Sequence, residues 1–141
     1  MPYINLKVTA KPDPVLSERI AKEVSQLTKA HLRKDPTITA VGIDYVDPAH
    51  WFSGGNSLAE QGKNTFWLDI KVVDGTNTKA EMAAYLEAVF ESMSKLLGGL
   101  HHESYILVHE VPAPAYGFGG KTQEFRFISG MLAKTGEAVR T

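Results

Sequence analysis

The chain contains one segment twice: Tyr3-Ile4-Asn5-Leu6-Lys7-Val8-Thr9 returns 64 residues later as Trp67-Leu68-Asp69-Ile70-Lys71-Val72-Val73. Both segments alternate apolar and polar residues in the same phase, which is typical of a strand with one buried face. An aromatic residue opens each segment, and Lys7 and Lys71 occupy the same place in both. The repeat predicts two structural units built on one plan.

A helical pattern follows each of these strands. The first begins at Asp13-Pro14, an N-cap followed by a proline suited to the first turn, and ends at Lys34-Asp35-Pro36. The second begins with the capping box Thr78-Lys79-Ala80-Glu81 and ends at Gly98-Gly99. Between these limits apolar residues recur at helical spacing. They are Leu16, Ile20, Val24 and Leu27 in the first helix, and Met82, Leu86, Val89, Phe90, Met93 and Leu97 in the second.

Each helix is followed by a second predicted strand, over residues 38–46 and 105–111. An aromatic, glycine-rich turn comes next: His50-Trp51-Phe52-Ser53-Gly54-Gly55 in the first half, and Ala115-Tyr116-Gly117-Phe118-Gly119-Gly120 in the second. Two strands joined by a helix form a parallel β-α-β unit with a right-handed crossover. Each half of the chain is therefore predicted to form one such unit.

The predicted fold is α+β, a single domain over residues 1–141. Two fused β-α-β units, residues 2–55 and 66–120, form a four-stranded sheet with both helices on one face. The tail, residues 121–141, has no evident counterpart in the first half, although its apolar residues predict that it packs somewhere. Other copies of the chain are the simplest cover for the second sheet face, so an oligomer is expected. A ferredoxin-like dimer, in which the repeat is only architectural, is the alternative.

Composition excludes several classes of function. A net charge of −1 gives no electrostatic reason to bind nucleic acid or an anionic membrane, and the absence of cysteine removes disulfides and thiolate chemistry. Neither a signal peptide nor a membrane-length apolar run is evident, so a cytoplasmic protein is expected. Phosphate-binding, dinucleotide and nucleophile-elbow motifs are not found, and the adjacent pair His101-His102 lacks the spacing of ligands to one metal. We expect no metal and no organic cofactor.

Met1-Pro2-Tyr3-Ile4, followed by β-α-β and an aromatic-x-x-Gly-Gly turn, resembles the 4-oxalocrotonate tautomerase family. Doubling of the unit makes the chain more similar to fused members of the tautomerase superfamily. These include macrophage migration inhibitory factor, 5-carboxymethyl-2-hydroxymuconate isomerase and cis-3-chloroacrylic acid dehalogenase. The resemblance covers roughly residues 2–120. It implies a homotrimer that acts on a small-molecule substrate.

The resemblance also implies roles for individual residues. Pro2 falls on the catalytic proline of the family, and Trp51 falls on an active-site phenylalanine of the 4-oxalocrotonate tautomerases. Ala40 and Pro12 stand where those enzymes carry two substrate-binding arginines, which argues against their dicarboxylate substrate.

The macrophage migration inhibitory factor pattern fits better. There Lys34 falls on the active-site lysine, and Tyr105 falls on the active-site tyrosine that opens the fourth strand.

These residues define the expected chemistry. Removal of Met1 makes Pro2 a secondary amine, and an apolar pocket disfavours its charged form. Such a base can move a proton between a carbon and an enol oxygen. Lys34 is expected to hold a carboxylate or polarise the carbonyl, and Tyr105 to hydrogen-bond the enolate. The expected function is a cofactor-free keto–enol tautomerase or isomerase of a small 2-oxo acid or enol. The candidate substrate-binding residues are Trp51, His50, Tyr116, Phe118 and Arg126.

Other interpretations of these residues stay open at this point. Trp51 and Phe118 also suit plain packing at a turn, Lys34 suits a solvated helix end, and Arg126 suits an ion pair with Glu124. Tyr105 is equally compatible with an ordinary strand. At the level of the whole protein, the alternatives are a non-catalytic trimeric binding protein of this fold and a hydratase or dehalogenase of the same superfamily.

Overall fold

The computed structural model describes the backbone of residues 2–140 and the side chains of residues 2–135. Its main feature is a four-stranded mixed sheet in the order β2-β1-β5-β6, with two long helices on one face. The strands are β1 (Tyr3–Val8), β2 (Ala40–Tyr45), β3 (Phe52–Ser53), β4 (Asn56–Ser57), β5 (Phe66–Val73), β6 (Tyr105–Val111), β7 (Gly117–Phe118) and β8 (Lys121–Thr122). The helices are α1 (Pro14–Leu32), α2 (Leu58–Gln61), α3 (Lys79–Leu97) and α4 (Gln123–Arg140). The predicted α+β fold is confirmed.

The two β-α-β units meet along the central strand pair. β1 and β2 are parallel, β5 and β6 are parallel, and β1 and β5 are antiparallel. Asn5 lies opposite Asp69, its counterpart in the repeat. A pseudo-twofold axis therefore passes between these two residues, and the beginning of β1 lies beside the end of β5.

Helix limits follow the predicted capping residues closely. The Asp13 side chain accepts a hydrogen bond from the Val15 amide, and Thr78 and Glu81 form the reciprocal capping box. α1 ends at Leu32, and its C-cap residue Arg33 adopts the left-handed conformation with φ 58°. The segment after it differs from the prediction, because residues 36–38 form a 3₁₀ turn and β2 begins only at Ala40. Asp35 stabilises that turn by accepting a hydrogen bond from the Thr37 amide.

The core lies between the helices and one sheet face. Its fully buried members include Ile4, Leu6 and Val8 of β1, Leu68 and Ile70 of β5, Ile20 and Val24 of α1, and Val89 and Met93 of α3. Tyr85 is also buried, and its hydroxyl lies 2.9 Å from the Thr28 hydroxyl on the facing helix. Burial raises the pKa of Tyr85 to about 12, so the phenol stays neutral. Its hydrogen bond with Thr28 gives the buried hydroxyl a partner.

The second sheet face, called here the open face, carries no helix in the described part of the chain. It includes Tyr3, Asn5 and Lys7 of β1, Trp67, Asp69 and Lys71 of β5, and Tyr105, Leu107 and His109 of β6. At its centre Asp69 is buried beneath Lys71, Trp67 and Asn5, which all donate to its carboxylate. Burial opposes ionisation of Asp69, but these hydrogen bonds outweigh it and lower the pKa.

Both glycine-rich turns form the same small structure. Gly54-Gly55 and Gly119-Gly120 have positive φ angles and close the hairpins β3–β4 and β7–β8. A helix follows each hairpin, α2 in the first unit and α4 in the second. The beginning of the tail therefore does have a counterpart in the first half. α2 spans only four residues, Leu58–Gln61, which is too short to produce a periodic pattern in the sequence.

None of the helices within residues 2–140 is long and apolar enough to cross a membrane.

Glu81 links the capping box of α3 to the end of α1, because its carboxylate also accepts hydrogen bonds from Arg33. The Arg33 guanidinium and the Thr78 amide lower the pKa of Glu81 from 4.5 to about 2. A depressed folded-state pKa stabilises the fold above the unfolded value, and this contribution is lost as the pH falls from about 4.5 towards 2.

We therefore expect the free energy of unfolding of Glu81→Gln to fall less steeply than that of the wild type over this range, as measured by urea unfolding at successive pH values. Glu18→Gln is the control, since Glu18 pairs with Lys22 on an exposed helix surface. Equal acid sensitivity of Glu81→Gln and the wild type would show that Glu81 is not the responsible group.

Candidate active site

A cavity of about 810 Å³ lies at the end of the sheet where β1 begins and β5 ends. Its lining comes from the amino end of the chain, the end of α1, the segment after β5, the second hairpin and the first turns of α4. The lining residues are Pro2, Lys34, Ile38, Val72, Val73, Thr76, Ala113, Phe118, Gln123, Glu124, Arg126, Phe127 and Ile128. Segments distant in sequence thus meet at one place.

Pro2 is buried in this cavity, directly before β1. Its carbonyl accepts a hydrogen bond from the Ala40 amide at 3.1 Å, which anchors it to β2. The next amide, that of Tyr3, donates to the Tyr116 hydroxyl at 3.1 Å. The beginning of β1 is therefore held from both sides of the strand.

Lys34 reaches the cavity because the left-handed residue Arg33 turns the chain away from α1. Its ammonium donates to the Thr76 hydroxyl at 2.9 Å, and that hydroxyl donates to the Val73 carbonyl at 2.6 Å. Burial lowers the pKa of Lys34, and the positive charge of Arg33 lowers it further. Lys34 is therefore a partly desolvated cation held in place by one hydroxyl.

Arg33 fixes the loop that carries Thr76. Its guanidinium contacts the Glu81 carboxylate, with Nε 2.7 Å from Oε2, and Nη2 donates to the Thr76 carbonyl at 2.8 Å. These contacts connect the end of α1 to the beginning of α3 across the loop. They hold Thr76 within hydrogen-bond distance of Lys34.

Arg126 is the second cation of the cavity. Its guanidinium lies over the Phe118 ring at 3.8 Å from the ring centre, and Nη2 donates to the Phe118 carbonyl at 2.9 Å. Nε is buried and has no hydrogen-bond partner among the described residues. Arg126 and Glu124 do not form an ion pair in the described part of the chain. A buried donor without an acceptor is costly, so this guanidinium is suited to an anionic ligand.

The remaining walls are mostly apolar. Ile38, Phe118, Phe127 and Ile128 contribute the largest apolar side chains. Such walls lower the local dielectric response and strengthen the interaction of the two cations with an anion. The cavity combines these walls with a few convergent polar groups, which is typical of a small-molecule site.

Four of the eight residues proposed from sequence line this cavity: Pro2, Lys34, Phe118 and Arg126. Tyr116 adjoins it, since its hydroxyl bonds to the Tyr3 amide.

The other three do not line the cavity formed within one chain. Tyr105 begins β6 at the opposite end of the sheet, where its ring lies 5.9 Å from that of Trp67. Trp51 precedes the first hairpin, which contacts the segment before β6 through a hydrogen bond from Ser53 to Glu103. His50 is exposed in the turn beside it. The pseudo-twofold axis explains this separation, because the two hairpins lie at opposite ends of the sheet.

Sequence reasoning did not identify Thr76, Ile38, Gln123 and Glu124 as lining residues. Thr76 carries no local signal, because its role depends on Lys34, which lies 42 residues away. Phe127 and Ile128 did stand out as apolar residues of the tail, but their position over the cavity depends on the direction of α4. Within the described residues, no cluster of three or more His, Asp or Glu side chains is arranged to hold a metal ion.

The fold and cavity define a fused pair of β-α-β units with a proline at the amino end of the first strand. No family model matches the chain. Probable tautomerase K2 of Dickeya dadantii is 36% identical over 64 residues, which cover 43% of this chain and 92% of that protein. The chain belongs to the tautomerase superfamily.

Solved structures agree on the fold. Native fused 4-OT superimposes with a TM-score of 0.76 at 16% identity, covering 86% of this chain and 96% of that chain. A macrophage migration inhibitory factor-like protein of Entamoeba histolytica gives a TM-score of 0.71 at 16% identity, covering 86% and 97%. N1, a member of the cis-3-chloroacrylic acid dehalogenase family, also gives 0.71 at 16% identity, covering 85% and 82%.

The second hairpin requires glycine at its first position. A Cβ atom on Gly117 would clash with the Lys121 carbonyl oxygen, so Gly117→Ala forces the hairpin open. We expect this substitution to displace Phe118 and Arg126, which should shift their NMR resonances, and to lower the free energy of unfolding by about 1–3 kcal/mol.

Gly130→Ala provides the matched control, because a Cβ there meets nothing within 4 Å and Gly130 lies within α4. It should leave the Phe118 and Arg126 resonances unchanged and stabilise the helix by about 0.5–1 kcal/mol. Unchanged resonances in Gly117→Ala would mean that the hairpin tolerates a side chain there.

Proposed function

We propose that this protein is a tautomerase or isomerase that moves a proton between carbon and oxygen of a small 2-oxo acid or its enol, with Pro2 as general base. The observation that carries the proposal is the common placement of Pro2, Lys34 and Arg126 in one mostly apolar cavity. The sequence similarity to a relative named as a tautomerase supports it.

In the proposed reaction the Pro2 nitrogen takes a proton from the carbon beside the substrate carbonyl and returns it at another atom. This requires the mature chain to begin at Pro2, because a preceding methionine converts the amine into an amide without basicity. Apolar walls favour the neutral amine, which is the form that accepts a proton. The reaction itself needs neither a metal nor an organic cofactor.

The two cations of the cavity have separate proposed roles. Arg126 binds the substrate carboxylate through its buried Nε, which has no partner among the described residues. Lys34 polarises the carbonyl and stabilises the negative charge that develops on its oxygen. The burial that lowers its pKa also makes its charge more effective, because less water screens it.

The cavity favours a monocarboxylate with an apolar body. Ile38, Phe118, Phe127 and Ile128 suit a hydrocarbon or aromatic group. Ala40 and Pro12 supply no charge at the places where the 4-oxalocrotonate tautomerases carry arginines. A small arylpyruvate or its enol is therefore a better candidate than a dicarboxylate.

We propose that the protein is a homotrimer. The open face exposes Tyr3, Tyr105 and Leu107, each about half exposed, although the sheet buries its other face well. Burial of this face against neighbouring copies removes that apolar surface from water. Tyr105 belongs, in this proposal, to a site completed between subunits.

A hydration reaction is the second candidate, because Glu124 and Arg126 line the same cavity. A carboxylate that activates water, together with an arginine that holds an unsaturated acid, is the chemistry of a hydratase or dehalogenase. Halide release from a 3-haloacrylate, with loss of that activity in Glu124→Gln, would favour this function over proton transfer.

Pro2→Ala tests the base directly. We expect kcat/KM for ketonisation of phenylenolpyruvate to fall about 10²-fold or more, because a general base typically contributes 10² to 10⁴. 2-Hydroxymuconate serves as the dicarboxylate comparison. Intact mass must first establish that both proteins begin at residue 2.

Pro14→Ala is the control, since Pro14 occupies the first turn of α1 away from the cavity. Equal activity of Pro2→Ala and the wild type contradicts the proposed mechanism. Absence of turnover in a Met-free wild type, with any of these substrates, favours a non-catalytic binding protein.

Arg126→Ala tests carboxylate binding. A hydrogen bond to a charged group contributes about 1.5–3 kcal/mol, so KM for phenylenolpyruvate should rise about 10- to 100-fold. Arg126→Lys should recover part of this loss because it retains the charge. Arg19→Ala, on an exposed position of α1, should leave KM unchanged. An unchanged KM in Arg126→Ala would assign the carboxylate to another group.

A further inference from the structure

We infer that the Tyr116 hydroxyl is a positioning group for the Pro2 amine, an inference that rests on the proposed function of Pro2 as the base. Tyr116 is not among the residues that line the cavity. Its hydroxyl instead contacts the backbone of the two central strands, where β1 begins and β5 nears its end. It lies 3.1 Å from the Tyr3 amide nitrogen and 3.5 Å from the Lys71 carbonyl oxygen.

The first peptide unit of β1 is thereby held at both of its polar atoms. The Pro2 carbonyl accepts from the Ala40 amide on one side of the strand, and the Tyr3 amide donates to Tyr116 on the other. Because the peptide unit is planar, these two bonds fix its orientation. The proline ring fixes the rotation about its N–Cα bond, so only the rotation about Cα–C remains to set the position of the nitrogen.

The same side chain belongs to the segment that binds the substrate. Tyr116 comes two residues before Phe118, whose ring and carbonyl hold Arg126. Its own carbonyl accepts from the Gln123 amide at 2.7 Å, at the beginning of α4. Tyr116 therefore connects the base of the proposed reaction to the group proposed to bind the carboxylate, and their separation depends on it.

The first unit shows what stands in place of the Tyr116 hydroxyl when no proline precedes the strand. Trp51 occupies the place of Tyr116 in the first unit, and its carbonyl accepts from the Leu58 amide at 2.9 Å just as that of Tyr116 accepts from Gln123. An indole N–H can only donate, so Trp51 has no side-chain acceptor for a strand amide. The strand beside it carries Phe66 where β1 carries Pro2. The hydroxyl is therefore present at the end of the sheet where the proline lies, and absent from the opposite end.

Tyr116→Phe removes the hydroxyl and keeps the ring. A small misplacement of a catalytic group reduces rate by up to about 10²-fold, so we expect kcat for phenylenolpyruvate to fall about 10- to 100-fold. KM should change little, because Arg126 and Lys34 stay in place. Hydrogen exchange at the Tyr3 amide should accelerate, since that amide loses its acceptor.

Tyr45→Phe is the matched control. The Tyr45 hydroxyl bonds to the Ser17 hydroxyl at 2.6 Å and to the Asp13 carbonyl at 3.1 Å, at the other end of the sheet. Its loss should affect thermal stability as much as that of Tyr116 but leave kcat unchanged. This comparison separates a positioning role from general weakening of the fold.

The outcomes distinguish the two proposals. Wild-type kcat in Tyr116→Phe, or an equal fall in Tyr45→Phe, overturns the positioning role. A rise in KM without a fall in kcat also overturns it, since Tyr116 then acts in binding. If Pro2→Ala is inactive while Tyr116→Phe is fully active, the proposed base survives and the positioning inference does not. Full activity of Pro2→Ala removes both.

Discussion

Antiparallel pairing of β1 with β5 is the constraint on which the rest of the structure depends. The register places Asn5 opposite Asp69 and brings the beginning of β1 beside Val72 and Val73. Two parallel units joined in any other way would separate Pro2 from the loop that carries Thr76. The same pairing puts the apolar residues of both central strands on one face, where α1 and α3 cover them. Core packing and site assembly thus follow from one strand interface.

Asymmetry between the units explains why the two ends of the sheet differ in chemical character. Gln61 repeats the backbone contact of Arg126, because its Nε2 donates to the Ser53 carbonyl at 3.0 Å where Arg126 donates to Phe118. In the first unit, however, Gln61 is neutral, and Ser53 is buried against Glu103. The local geometry is shared, whereas the charge and the apolar walls are particular to the second hairpin.

Helix α4 extends this asymmetry. Its counterpart α2 stops after one turn at Gly62, which has φ 62°, whereas α4 continues to Arg140. The extra length carries Phe127 and Ile128 over the cavity. Arg126, the second cation, directly precedes this extra length and occupies the place of Gln61 in α2. The apolar side chains over the cavity and the anion-binding Arg126 therefore all belong to α4. Together they suit a carboxylate attached to an apolar body.

The sequence by itself determined the units, their helices and the composition of the core. Alternating and helical periodicities report burial of one face, and residues such as Asp13 and Thr78 report helix ends, because these effects are local. The similarity of the two halves also placed Pro2 directly before the first strand and Phe118 in the second glycine-rich turn. Tertiary structure alone decided that Lys34 meets Thr76, that Arg126 stacks on Phe118, and that Tyr105 lies at the far end of the sheet. These relations depend on strand register, on the left-handed turn at the end of α1 and on the direction of α4, and none of them leaves a periodic or local mark in the chain.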